Sequence, residues 1–71
     1  MTSRIDRIKA AALDLARDRA LTAHSLAERI LVSRDRARRW IRLLRDEGLI
    51  EEIGKEPAPK MGPPRKVWGL R

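Results

Sequence analysis

Apolar residues recur along the chain at two different periods. Ile5, Ile8, Ala12 and Leu15, supported by Ala11 and Ala16, fall at the spacing of one helix face. Ser3 stands where a helix N-cap belongs, and Asp6 follows in the first turn, where a carboxylate is favourable. A first helix is therefore predicted over about residues 4–18. No glycine marks its end near Arg19 and Ala20. Thr22 is the next capping residue, and Leu26, Ala27 and Ile30 give a short second helix over about 23–30. Leu31, Val32 and Ser33 form the break. Ser33 caps a third helix, predicted over about 34–47, with Val32 just before it as a hydrophobic staple. Its apolar stripe is narrow: Ala37, Ile41 and Leu44, at i, i+4 and i+7. Gly48 falls where a left-handed glycine closes a helix, and Leu49 supplies the accompanying apolar contact.

Past Gly48 the pattern changes. Leu49 to Ile53 reads as a short strand over about 49–53, and Lys66 to Leu70 as a second over about 66–70 that returns beside it. Between them, Gly54 to Pro64 holds all four prolines and is predicted to be a loop stiffened toward extended conformations. No internal repeat or interdomain linker interrupts the chain. The expected architecture is a single domain, 1–71, of the α+β class and mostly helical: three helices followed by a two-stranded β-hairpin.

Length and composition remove several function classes. A chain of 71 residues buries only about 60% of its unfolded surface, which leaves little room for a catalytic cleft. Without cysteine there is no disulfide framework and no thiolate metal site, and the single histidine, His24, cannot build a zinc site alone. No Gly-rich phosphate cradle or nucleophile–base pair is visible. No enzyme, cofactor or metal is expected. No apolar run approaches the ~18 residues of a membrane span, and no hydrophobic signal region directs export. A cytoplasmic, nucleoid-associated location is the expectation.

Charge changes the picture most. The formal net charge is +7, and its distribution matters more than its size. Residues 1–32 carry six basic and four acidic side chains, whereas residues 33–45 carry six arginines and one acid. Residues 46–53 carry four acids and no base, and residues 54–71 carry five bases and one acid. The positive charge lies in two blocks separated by an acidic one. On a helical wheel, at about 100° per residue, Asp35, Arg39 and Arg42 fall opposite the apolar stripe, with Arg36 and Arg38 on the flanks. A narrow apolar face and a broad arginine face suit a helix lying between a protein core and a polyanion. A solvated helix usually alternates charge signs, as the first helix does. That stripe is also too small to anchor a basic amphipathic helix in a membrane.

The order of these pieces resembles a known plan. Leu21 to Ser33, Leu-Thr-Ala-His-Ser-Leu-Ala-Glu-Arg-Ile-Leu-Val-Ser, is similar to the second helix and turn of bacterial winged helix-turn-helix proteins. Arg34 to Ile50 resembles their recognition helix and first wing strand. Gly62 to Leu70, Gly-Pro-Pro-Arg-Lys-Val-Trp-Gly-Leu, resembles the end of the wing. The resemblance covers about residues 5–70 and identifies no subfamily. Two departures stand out: the wing is long and proline-rich, and Leu31 occupies the turn position that usually carries glycine. Leucine there would cost roughly 1–2 kcal/mol if the left-handed geometry is kept.

The resemblance implies sequence-specific binding of double-stranded DNA by a transcriptional regulator, with a repressor the simplest mode. The third helix would enter the major groove. Ser33 and nearby backbone N–H groups would donate to phosphate. Arg34, Arg36 and Arg39 would reach base edges or adjoining phosphates, and Arg38 and Arg42 would anchor phosphates further along. Asp35 would accept from a cytosine amine or orient Arg38 or Arg39. Lys55, Lys60, Arg65 and Lys66 would bring the wing to the backbone or minor groove. Binding as a homodimer, or as several copies along the DNA, would raise affinity. The competing reading is a winged-helix adaptor that binds a protein partner within a DNA-processing, plasmid or phage assembly. RNA is a third, against which the scarcity of aromatics argues.

Several residues keep more than one reading. Trp40 borders the apolar stripe and is read as partly core, or else as a partner surface. Leu43 packs under the wing, touches a thymine methyl or faces a second copy. Trp68 closes the core from the wing strand or stacks on a base, and His24 is expected at the surface. Glu51 and Glu52 read as solvated, or as repelling a wrongly placed DNA backbone.

Overall fold

Each helix starts on a hydroxyl. Ser3 Oγ accepts from the Asp6 N–H at 3.1 Å, and the Asp6 carboxylate accepts from the Ser3 N–H in return. Thr22 and Ser25 make the same reciprocal box at 2.9 Å each way. Ser33 Oγ accepts from the Arg36 N–H at 3.3 Å. These caps satisfy amide donors that the helix itself leaves open.

The computed structural model describes residues 3–57 and 62–71. Five elements follow in order: α1 (Arg4–Arg17), α2 (Ala23–Ile30), α3 (Arg34–Asp46), β1 (Ile50–Glu56) and β2 (Arg65–Leu70). The fold is α+β and mostly helical, with the strands paired antiparallel in one sheet. Among the described residues no helix is long and apolar enough to cross a membrane.

The three helices also end alike. In each, the amide of one residue reaches back five positions: Ala20 to Leu15, Val32 to Ala27, and Leu49 to Leu44, at 2.9, 3.1 and 3.1 Å. This 6→1 closure needs a left-handed residue just before the donor. That residue is Arg19 (φ 58°), Leu31 (φ 57°) and Gly48 (φ 78°). Only Gly48 is the residue type that takes this conformation without strain. The glycine-like turn at Leu31 is thus retained, with a leucine in it that is 90% exposed.

Small side chains let the helices approach. Ala12, Ala16 and Ala37 are buried, and around them Leu21, Leu26, Leu44 and Ile50 are fully enclosed. Each enclosed aliphatic side chain contributes about 1.5–3 kcal/mol relative to exposure. The expected stripe of α3, Ala37, Ile41 and Leu44, is the buried one. Ile5, expected on the buried stripe of α1, instead stays 53% exposed, because it sits in the first turn, where α1 borders an open groove rather than the core. Trp68 closes the core from β2 at 8% exposure, and Trp40 is half-buried against it. Lys9 Nζ reaches both Glu47 oxygens at 3.2 Å, tying α1 to the end of α3. Both side chains are about a third exposed, so the pair is worth at most ~1 kcal/mol.

The strands differ from expectation. β1 does not stop at Ile53 but continues through Gly54, Lys55 and Glu56, and β2 begins at Arg65. A bulge between Glu52 and Gly54 absorbs Ile53, after which Lys55 pairs with Lys66 and Glu56 with Arg65. The bulge resets the alternation, so the pattern on either side of it does not read as one strand. β2 has a second neighbour as well. The Trp68 N–H donates to the Leu21 carbonyl at 2.8 Å, forming an isolated antiparallel bridge. The segment between α1 and α2 therefore fastens the hairpin base to the helices.

Candidate nucleic-acid interface

The arginines of α3 divide between two flanks. Arg34, Arg38, Arg42 and Arg45, at i, i+4, i+8 and i+11, descend one side of the helix. They face the hairpin across a cleft of about 340 Å³, whose far wall carries Pro63, Pro64, Arg65 and Lys66. Ala23 and His24 close the end nearest α2, and Ile41 and Trp68 form part of its apolar lining. Six cations thus converge on one concave surface, and no carboxylate lines it among the described residues. The direction of each wall follows from the fold. The core stripe fixes the rotation of α3, and the Leu21–Trp68 bridge fixes the hairpin beside it.

Not every cation is equally available. Arg38 Nη1 lies 3.6 Å from Asp35, so Asp35 contacts Arg38 as one of its two expected partners. Arg45 contacts Asp46 at 3.2 Å. On the hairpin, Arg65 lies 4.0 Å from Glu56 and Lys66 3.8 Å from Glu52. Arg34, Arg36, Arg39 and Arg42 have no ion-pair partner among the described residues. Lys55 stands directly across the sheet from Lys66, an arrangement of like charges that is unfavourable by itself and is relieved by a nearby anion.

The remaining expected site residues fall elsewhere. Arg36 and Arg39 border a separate groove between α3 and α1, together with Trp40 and Leu43. Leu43 therefore points away from the hairpin and does not pack under it. Ser33 is exposed at the start of α3, where its oxygen caps the helix and its hydroxyl proton stays free to donate. Lys55, expected in a loop, is on β1 and exposed. Lys60 lies outside the described residues. His24, expected at the surface, is half-buried at the cleft end with Nε2 at 3.0 Å from Glu28 Oε1.

Arg45 is the cleft residue that sequence reasoning missed. The signal was present, since it continues the Arg34, Arg38, Arg42 row one turn further. Its position near the acidic block disguised it. Among the described residues no group of three or more His, Cys, Asp or Glu side chains could hold a metal ion. Compared with protein-family models, curated proteins and solved structures, the chain matches none, so its geometry and chemistry alone carry a functional reading.

Proposed function

We propose that the chain is a winged helix-turn-helix protein that binds double-stranded DNA sequence-specifically and acts as a transcriptional regulator, with repression the favoured mode. One observation carries this reading: the row Arg34, Arg38, Arg42 and Arg45 on α3 faces Arg65 and Lys66 on the hairpin across a shared cleft. A phosphate backbone supplies closely spaced anions along such a surface, and arginine offers planar, bidentate donors to phosphate and to guanine edges. In this reading α3 enters the major groove. Arg39, on the outermost face, and Arg34 and Arg36 on its flanks reach base edges or adjoining phosphates. Arg38, Arg42 and Arg45 hold the backbone. Arg65, Lys66 and Lys55 carry the wing to the neighbouring strand.

Random-site selection on duplex DNA tests the proposal, followed by titration of the selected site at several salt concentrations. The expected result is a defined motif whose affinity falls steeply between about 50 and 200 mM salt through counterion release. A shallow salt dependence with no enriched motif would overturn it.

A further inference from the structure

A second concavity lies on the opposite flank of α3, between it and α1, with a volume of about 460 Å³. Its floor is apolar and includes Ile5, Val32, Trp40 and Leu43. Ile5 is 53% and Leu43 44% exposed, so the floor is open to solvent in the isolated chain. Its polar lining consists of three arginines, Arg4, Arg36 and Arg39. None of the three has an ion-pair partner among the described residues. The undescribed residues, Met1, Thr2 and 58–61, include no aspartate or glutamate.

We propose that this groove docks an acidic amphipathic helix from a partner protein. A strip of apolar surface bordered by unpaired arginines calls for an occupant of opposite pattern: apolar side chains on one face, flanked by carboxylates. From Arg36 to Leu43 the groove runs along eight residues of α3, a span of roughly 10 Å at 1.5 Å rise per residue. That length takes about two turns of a helix laid along it, with apolar anchors at i, i+3 or i+4, and i+7. A second copy of the chain fits poorly. A two-fold contact would set the same arginines against themselves, in a chain already carrying a net charge of +7. A phosphate backbone satisfies the arginines but offers little apolar surface to cover Ile5 and Leu43. The groove shares Arg36 and Arg39 with the proposed DNA-reading face, whereas Ile5 and Leu43 lie outside the cleft facing the hairpin, so the floor variants test docking without touching a residue assigned to DNA.

The test uses a fluorescein-labelled helical peptide of about four turns, with leucines at i, i+3, i+4 and i+7 flanked by glutamates. Its anisotropy is followed against the full chain at about 0.15 M salt. Saturable binding is expected, weakened about tenfold by Leu43→Ser and about tenfold by Ile5→Ser. Arg36→Glu weakens it at least as much, and a peptide with serine for each leucine does not bind. Circular dichroism checks that the variants fold. Because the two floor residues lie on different helices, failure of one variant to fold leaves the other as the test. Equal binding of the serine peptide overturns the proposal, as does indifference to both floor variants. A dimer seen by sedimentation and abolished by both variants gives the face to a second copy. A matching loss of duplex DNA affinity with no peptide binding gives it to nucleic acid.

Discussion

The Val32 amide closes onto the Ala27 carbonyl at 3.1 Å, and it can do so only because Leu31 between them is left-handed, with φ 57° and ψ 51°. The side chain of Leu31 is 90% exposed, so little packing offsets the strain. Leu31→Gly removes roughly 1–2 kcal/mol of strain and adds about 0.5–1 kcal/mol of unfolded-chain entropy. The expected net is a gain of about 0.5–1 kcal/mol, equivalent to several degrees in Tm for a domain of this size. Gly48→Ala, at the same position of α3, changes stability in the opposite direction. Thermal unfolding followed by circular dichroism measures both, and a lower Tm for Leu31→Gly contradicts the strain assignment.

Trp68 joins the hairpin to the helical core through both its ring and its amide. Trp68→Ala is expected to cost about 3–5 kcal/mol. Total stability for a chain this long is on the order of 4–10 kcal/mol, so the variant loses roughly a third or more of it. Urea unfolding monitored by circular dichroism checks this, and a loss under about 1 kcal/mol would mean that the ring is not part of the core.

A side chain at Gly69 would crowd that of Ile53. A Cβ there would stand 3.0 Å from Ile53 Cγ2 and 3.1 Å from Cδ1. Gly69→Ala is expected to destabilise by about 1–2 kcal/mol. In an Ile53→Ala background the same substitution costs less, because the clashing atoms are gone. A double-mutant cycle from denaturant melts reads this coupling directly, and strictly additive losses would count against it.

The DNA reading separates two kinds of contact. Arg39→Ala is expected to weaken the selected site by about 1–3 kcal/mol and to relax base preference there. Lys66→Ala is expected to weaken all duplexes about equally and to reduce the salt slope by about one. Competition titrations with matched and mutated duplexes check both. If each leaves duplex affinity unchanged, the assignment of α3 to the groove fails.

The helices were legible because their signals are local. Ser3, Thr22 and Ser33 mark starts, and Ala37, Ile41 and Leu44 mark the buried face of α3. The end of α1 was harder to read, because an arginine occupies the conformation that glycine would have announced. The outer half of β1 was hidden by the bulge at Ile53 and by Gly54, which resembles the start of a turn. The Leu21–Trp68 bridge involves a single residue on one side and leaves no periodic trace. For the site, the sequence showed which arginines are exposed but not what stands beside each flank. The division of Arg34, Arg38, Arg42 and Arg45 from Arg36 and Arg39 depends on where the hairpin and α1 lie, and that is set by tertiary packing.

The Leu21–Trp68 bond makes the hairpin a cantilever clamped at its root. Arg65 and Lys66 lie three and two residues from the clamp, or roughly 7–10 Å along the strand. In any cantilever the pointing error grows with distance from the support. Cations near the root therefore hold their aim and can contribute to geometric fit. Charge added farther out supplies attraction with little direction. If the proposed DNA binding holds, basic residues added to the hairpin beyond Pro64 would raise affinity for all duplexes alike while leaving discrimination between sites to the residues near the root.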